Sequence, residues 1–164
     1  NFENKIGIKI SKKQKFIEYS PLLFNYLKKI SKQIKNDKGG LLIIDYGYLN
    51  DKMFNTLQSV KNHKKTNILD DFGEADITYN LNFELIKKII NKLKLRTQGL
   101  TSQRNFLIKL GIIRRAEILS KNLPFSKKTD IYFRLKRLID KKDMGELFKV
   151  MLITNKKTKF QTGF

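Results

Sequence analysis

The 164-residue chain has no cysteine, a single histidine (His63) and only two prolines. Without cysteine it has no disulfide, no thiolate nucleophile and no cysteine ligand for a metal. One histidine provides neither a cluster of zinc ligands nor a convincing Ser-His-Asp set. The longest apolar run, residues 39–44, ends at Asp45, well short of the roughly 18 residues that a membrane span needs. The sequence therefore predicts no metal site, no disulfide and no membrane span.

Closely spaced glycines are also missing. The nine glycines are spread along the chain and form neither G-x-G-x-x-G nor G-x-x-x-x-G-K. A nucleotide-binding loop needs such glycines because its backbone N–H groups must approach a phosphate or carboxylate closely. Residues 1–164 are therefore not expected to hold a nucleotide-like cofactor through a loop of their own.

Acidic residues are few: 15 Asp and Glu stand against 35 Lys and Arg, giving a formal net charge of +20. Such an excess attracts polyanions, nucleic acid among them. Only six of the basic residues are Arg, however, whereas phosphate and base recognition relies on its planar, bidentate guanidinium. The scarcity of arginine therefore favours the interpretation that the excess lysines reflect compositional drift on solvent-exposed faces. A basic nucleic-acid-binding module stays open as an alternative.

The hydrophobic pattern of the first half alternates between strands and helices. Alternating isoleucines predict a strand over Ile6–Ile10, paired with Lys15–Glu18 in a ribbon around residues 11–14. Ser20 and Pro21 are suited to cap and begin a helix, whose apolar face comprises Leu23, Tyr26, Leu27, Ile30 and Ile34. The run Leu41–Ile44 is typical of a strand buried on both faces. Residues 49–80 show little periodicity and are expected to form a long irregular connection.

The second half continues the alternation. Asn82 is expected to cap a helix with a buried stripe of Leu85, Ile86, Ile89, Ile90 and Leu93. The pattern then predicts a short strand near residues 94–98 and a helix from Thr101 or Ser102 to before Pro124. These are followed by a helix over residues 129–139 and a strand over residues 148–154. This alternation indicates one α/β domain over residues 1–164, with helices on both faces of a sheet.

Ligands of such sheets bind beyond the carboxyl ends of the strands, which makes residues 45–48 site candidates on topology. The polar side chains there and on the long connection are Asp45, Tyr46, Thr56, Gln58, His63, Glu74, Asp76 and Thr78. Carboxylates at strand ends orient a cationic substrate or accept a proton from it. His63, flanked by Asn62 and Lys64, is expected to be an exposed loop residue.

Several segments of the chain form a recognisable set. They are residues 39–48 (GGLLIIDYGY), 55–60 with His63, 73–78 (GEADIT) with Asn82 and Phe83, 97–99, 106–116 and 144–150, preceded by Tyr19-Ser20-Pro21. Together these segments resemble the MidA family of S-adenosylmethionine-dependent methyltransferases. The resemblance covers nearly the whole chain in order, and the motifs are specific in combination.

The resemblance implies the C-terminal part of a Rossmann-like class I methyltransferase sheet, with helices on both faces and one antiparallel strand. The strand containing Asp45 would be the fifth of seven, and the strand beginning at Phe148 the last. The implied activity is transfer of a methyl group from S-adenosylmethionine to a protein, by analogy with eukaryotic members that dimethylate an arginine of a respiratory complex I subunit. The implied catalytic residues are Asp45 and Asp76, and the implied substrate-binding residues are Tyr46, Gly47, Gln58, Glu74 and Thr78.

One departure from the family limits what the resemblance implies. The glycine-rich cofactor loop and the acidic residue that binds the ribose have no counterpart in residues 1–164 and are expected upstream of Asn1. The chain alone is therefore expected to be inactive, and its unpaired apolar strand edge is expected to cause poor solubility or dimerisation. The implied location is the bacterial cytoplasm, or the mitochondrial matrix if the source is eukaryotic.

Overall fold

The computed structural model describes residues 2–10, 14–70, 73–160 and 162–164. Within these residues the chain forms seven helices and seven strands. The helices are α1 (Phe2–Ile6), α2 (Pro21–Asp37), α3 (Phe83–Lys92), α4 (Gln103–Lys109), α5 (Ile112–Ser120), α6 (Phe125–Ile139) and α7 (Met144–Leu147). The strands are β1 (Gly40–Tyr48), β2 (Gln58–Lys61), β3 (Lys64–Thr66), β4 (Asp76–Thr78), β5 (Leu81–Asn82), β6 (Arg96–Ser102) and β7 (Phe148–Thr154).

The main sheet has four strands in the order β5-β1-β7-β6. The last strand, β7, lies antiparallel between β1 and β6, with Leu42 opposite Leu152. The short strand β5 pairs in parallel with the carboxyl end of β1, where Gly47 faces Leu81 and Tyr48 faces Asn82. The predicted α/β sheet with one antiparallel strand, ending in the strand that begins at Phe148, is confirmed.

Helices α2 and α3 form the main core against one face of this sheet. Met151 and Ile153 of β7 pack there with Ile86, Ile89 and Ile90 of α3, and all five are at most 2% exposed. Leu27 and Ile34 of α2 belong to the same core. The predicted stripes are therefore confirmed, except that Tyr26 is 60% exposed.

The opposite face of the sheet is covered at β6 but not at β1. The ring of Phe164 occupies the space where Gly99 of β6 lacks a side chain, and it packs against Phe106 of α4. On β1, in contrast, Leu42 and Ile44 are 46% and 47% exposed. The prediction that this strand is buried on both faces is wrong for this chain, because only the side carrying Leu41 and Ile43 packs against the core.

The predicted strand at Ile6–Ile10 and its partner at Lys15–Glu18 are wrong. Phe2–Ile6 is a helical turn, and residues 14–18 contain no strand. Gly7 ends the helix with φ +64°, a left-handed conformation that glycine adopts without strain. Ile6 and Ile10, four positions apart, are both buried, so the isoleucines serve a helical turn and the segment after it. Of the expected turn at residues 11–14, residues 11–13 lie outside the described residues.

The connection over residues 49–80 is not irregular throughout. It contains a separate three-stranded antiparallel sheet in the order β3-β2-β4. Asn62 and His63 form the tight turn between β2 and β3 with φ values of +50° and +62°, as a two-residue hairpin requires. His63 is exposed there, as expected. The strands escaped prediction because they are only three or four residues long and mostly polar.

Two helix boundaries also differ from the predictions. The helix expected to run from Ser102 to before Pro124 is divided into α4 and α5 by Gly111, whose φ is +81°. Ser102 caps α4, as predicted, by accepting a hydrogen bond from the backbone of Asn105. Helix α6 begins at Phe125, directly after Pro124, rather than near residue 129. Of the helices in the described ranges, none is long and apolar enough to cross a membrane.

Candidate functional site

The carboxyl end of β1 is the point at which the main sheet gains its parallel partner β5. Open α/β sheets bind ligands outside such strand ends. Five polar residues meet there, and we call them the polar cluster: Glu18, Tyr48, Thr56, Asn80 and Asn82. They come from the segment before α2, the end of β1, the loop after it, and β5 with the residue before it.

Asn82 ties three elements together. Its Oδ1 accepts a hydrogen bond from the backbone N–H of Leu85 at 2.9 Å, which caps α3 as predicted. Its Nδ2 donates to the carbonyl of Asn50 at 3.1 Å and approaches the hydroxyl of Tyr48 at 3.4 Å. Because the side chain is only 7% exposed, these bonds fix the loop after β1 relative to the helix.

Tyr48 is held in its neutral form. Burial of the phenol raises its pKa, the hydrogen bond with Asn82 partly lowers it, and the negative charge of Glu18 raises it again. The ring packs on Phe54, with centroids 4.5 Å apart. The hydroxyl is therefore a protonated group at the end of the strand, under the influence of the negative charge of Glu18.

Glu18 supplies the carboxylate of the polar cluster. It accepts hydrogen bonds from the hydroxyl and from the backbone N–H of Thr56, the latter at 3.4 Å. The same hydroxyl accepts a hydrogen bond from the backbone N–H of Asn80 at 2.8 Å. The sequence interpretation placed Glu18 in a predicted strand and did not name it as a site residue. Its position directly before the Tyr19-Ser20-Pro21 segment is the signal that could have identified it.

Asp45 and Tyr46, two of the predicted site residues on β1, have different surroundings. Asp45 is exposed, and its Oδ1 accepts from the N–H of Tyr46 at 2.8 Å. Lys149 stands opposite Asp45 in the sheet, and burial lowers its pKa while Glu146 partly restores it. Tyr46 is 41% exposed and packs on Phe148 with centroids 4.1 Å apart.

Gly47 is a packing position. A Cβ built there would lie 2.5 Å from the carbonyl oxygen of Leu81 and 2.5 Å from the ring of Phe83. Only glycine allows β5 and the start of α3 to approach β1 this closely. The structure therefore gives Gly47 a role in holding the site together, and its predicted contact with substrate stays a prediction.

The remaining predicted residues lie on or beside the small sheet. Gln58 stands opposite Thr78, and Asp76 stands opposite Val60. Glu74 forms an exposed ion pair with Lys61 at 2.6 Å. Asp45 and Asp76 thus belong to different sheets, and the structure brings neither of them into the hydrogen bonds of the polar cluster.

In the part of the chain that the structure describes, the strand-to-helix turns of the main sheet do not provide a glycine-rich loop. The two strand-to-helix turns of the main sheet, after β5 and after β6, contain no glycine. The spaces beside Gly47 and Gly99 are filled by the rings of Phe83 and Phe164. The close backbone approach that holds an adenosyl ligand is therefore not available at these turns. Over the described ranges, no group of three His, Cys, Asp or Glu side chains could hold a metal ion.

The strand order and the antiparallel last strand are those of a Rossmann-like methyltransferase sheet. Two crystal structures of Burkholderia thailandensis proteins have this fold, with TM-scores of 0.73 and 0.71 at 22% identity. Each match covers 86% of this chain and 39% or 38% of the solved chain. The second structure is described as bound to S-adenosyl-homocysteine.

Residues 1–101 match the family model of an S-adenosyl-L-methionine-dependent methyltransferase. The chain belongs to this MidA-like family, which confirms the resemblance and identifies S-adenosylmethionine as the cofactor of the family. Among its relatives is the mitochondrial protein arginine methyltransferase NDUFAF7 of Danio rerio, 29% identical over 79% of this chain and 30% of the relative. The Caenorhabditis elegans homolog is 31% identical over 60% of this chain and 23% of that protein. The chain therefore spans less than a third of these relatives.

Proposed function

We propose that residues 1–164 form the C-terminal part of the methyltransferase domain of a protein arginine methyltransferase, on the side that receives the acceptor. The observation that carries this proposal is the polar cluster at the carboxyl end of β1 in a chain of the methyltransferase family. Relatives named as protein arginine methyltransferases support the choice of acceptor.

The exposed side of β1 supports the assignment to a larger domain. Leu42, Ile44 and Tyr46 share one face of the strand and are 46%, 47% and 41% exposed. Along the edge away from β7, β1 pairs with β5 at Gly47 and Tyr48. Soluble domains normally cover such an apolar face and strand edge. We assign this surface to the cofactor-binding part of the domain, formed by residues outside 1–164.

The chemistry that the residues of this chain offer is recognition of a cation. A guanidinium stays protonated at any physiological pH, so a carboxylate binds and orients it through charge-assisted hydrogen bonds. Glu18, held by Thr56, supplies this carboxylate, and its negative charge helps to keep the hydroxyl of Tyr48 neutral. Correct placement of the acceptor accelerates transfer chiefly by positioning. Asp45 and Asp76 remain candidates for a second carboxylate.

The test uses the whole gene product that contains residues 1–164, S-adenosylmethionine and candidate acceptor proteins, with dimethylarginine detected by mass spectrometry. The first acceptor to test is the complex I subunit that the family resemblance implies. Glu18→Gln is expected to lower the rate by about 100-fold, because it removes the charge that positions the guanidinium. The matched control is Glu117→Gln, which removes a carboxylate that pairs with Arg114 on α5.

The two parts of this proposal fail separately. If arginine stays unmodified in every acceptor although intact S-adenosylmethionine is present, the proposed arginine methyltransferase activity is contradicted. Methylation that proceeds equally in wild type and Glu18→Gln contradicts only the role of Glu18. A bacterial cytoplasmic or mitochondrial matrix location of the gene product, established by fractionation, is a further part of the proposal.

Residues 1–164 alone are proposed not to bind the cofactor, because their strand-to-helix turns carry no glycine. Calorimetric titration with S-adenosylmethionine tests this, and micromolar binding by a monodisperse monomer would contradict it.

The alternative of a nucleic-acid-binding module rests on the net charge of +20 alone. Saturable binding of RNA that survives about 0.15 M salt would favour that alternative.

A further inference from the structure

A cavity of about 290 Å³ lies beside the polar cluster. Three parts of the chain line it: residues 8–10 with Gln14, the loop after β1, and β5 with the first half of α3. Its floor is apolar, formed by Ile10, Met53 and Leu85, which are 7%, 7% and 8% exposed. The backbone N–H of Met53 donates to the side-chain oxygen of Gln14 at 2.6 Å, which joins two of the walls. The cavity is therefore a formed feature of the fold.

The charged residues that line the cavity are mostly basic. Lys9, Lys52 and Lys88 contribute three ammonium groups, and Asp51 contributes one carboxylate, which pairs with Lys88 at 2.5 Å. Lys9 and Lys52 are exposed. An apolar floor with an excess of lysines matches a ligand that has an apolar group next to a negative charge.

The cavity is continuous with the candidate site. Asn82 lines the cavity and also bonds the carbonyl of Asn50 and contacts the hydroxyl of Tyr48. Asp51, Lys52 and Met53 lie in the loop that leaves β1, three to five residues after its last residue, Tyr48. A chain bound in the cavity therefore lies next to the carboxyl end of β1, within a few residues of any side chain held there.

We propose that this cavity binds a segment of the acceptor protein adjacent to the target arginine, in which an apolar side chain is next to an acidic one. The apolar side chain occupies the floor, and the acidic side chain lies against Lys9 and Lys52. The volume, at the low end of ligand pockets, suits one side chain rather than a whole cofactor. This inference rests on the proposed function, because it identifies which protein segments that site accepts.

The experiment measures peptide binding by fluorescence anisotropy with the whole gene product, in about 0.15 M salt and without cofactor. At that ionic strength, charges more than about 8 Å apart are largely screened, so distant lysines contribute little. The probe is a fluorescein-labelled peptide with one arginine flanked by alternating leucine and glutamate. Two further peptides replace the leucines by serine or the glutamates by glutamine.

The test variant is Lys9→Glu with Lys52→Glu, and the matched control is Lys121→Glu with Lys127→Glu. All four lysines are exposed, and the control pair lies on α6 and at the end of α5, away from the cavity. Both variants lower the net charge equally, so a difference between them reports the location of the charge. The test variant is expected to bind the peptide with a dissociation constant about ten-fold larger than that of the wild type, and the control variant with little change. Both substituted peptides are also expected to bind more weakly to the wild type.

Equal affinity of the wild type and the Lys9/Lys52 variant would overturn the inference, and so would equal weakening in the control variant. Loss of affinity on replacing glutamate but not leucine would also overturn it, because the apolar floor would then have no role. Binding is measured without methyl transfer, so its outcome is separate from that of the proposed function. A gene product that methylates arginine but shows no cavity-dependent binding refutes this inference alone.

Discussion

Replacing Asn82 with alanine removes two good hydrogen bonds from one buried position. The cap of α3, accepted from Leu85 at 2.9 Å, is worth about 1 kcal/mol. The bond donated to the carbonyl of Asn50 at 3.1 Å adds about 1 kcal/mol. The 3.4 Å contact with Tyr48 is long and contributes little. We therefore expect Asn82→Ala to lower the free energy of unfolding by about 2 kcal/mol.

Two further variants separate these contributions. Ser20→Ala removes a single cap bond, accepted from Leu23 at 3.2 Å, from a half-exposed position, and is expected to cost about 1 kcal/mol or less. Asn82→Asp keeps an acceptor for the N–H of Leu85 and adds a negative charge near the N-terminus of α3, but it loses the donor to Asn50. It is expected to recover about half of the loss seen in Asn82→Ala.

Urea unfolding followed by far-ultraviolet circular dichroism measures these differences, and hydrogen exchange of the Leu85 amide measures the cap locally. The reasoning is refuted if Asn82→Ala costs no more than Ser20→Ala, because the link to Asn50 would then contribute nothing. It is also refuted if the Leu85 amide of Asn82→Asp exchanges as fast as that of Asn82→Ala.

Three further predictions concern β1 and the surface that it presents. Gly47→Ala is expected to lower the free energy of unfolding in urea by about 1–3 kcal/mol, because the added Cβ would lie 2.5 Å from the atoms of Leu81 and Phe83. Gly39→Ala is expected to be neutral, because a Cβ at that position has no other atom within 4 Å. Tyr48 has a raised pKa, so the folded state binds more protons than the unfolded state above the ordinary value of 10.0, and stability is expected to fall as pH rises through that range. The Tyr48→Phe variant is expected to lose that part of the pH dependence. Replacing Leu42 and Ile44 together by threonine is expected to reduce the self-association of residues 1–164 in analytical ultracentrifugation, since both are nearly half exposed on the same face.

Each of these predictions has its own control. Equal destabilisation by the two glycine variants would show that the close approach at Gly47 is not what matters. An alkaline stability profile that is the same in Tyr48→Phe and wild type would exclude Tyr48 as its cause. Leu69→Thr removes an 88% exposed leucine that lies outside the sheets, and an equal effect on self-association would show that β1 is not the contact surface.

The site was partly predictable from the sequence. The pattern placed residues 45–48 at a strand end, and Asn82 was expected to cap α3, because strand ends and helix caps depend on short-range sequence. Glu18 was not predicted as a site residue, because its bonds to Thr56 connect positions 38 residues apart. The small sheet was missed for a related reason, since its polar strands are stabilised by pairing with each other rather than by an apolar pattern.

By itself, the sequence determined the alternation of helices and strands, the caps at Ser20, Asn82 and Ser102, and the family, because these depend on local residue order and spacing. Only the tertiary structure decided which residues meet at the end of β1, and that Gly47 allows Leu81 and Phe83 to pack closely against that strand. It also decided that Leu42 and Ile44 lie exposed while Leu41 and Ile43 are covered. The four consecutive apolar residues Leu41–Ile44 place two apolar side chains on each face of the strand, so the sequence does not distinguish the two faces. Which face is buried depends on the elements that pack against it, and that information is not local to the strand.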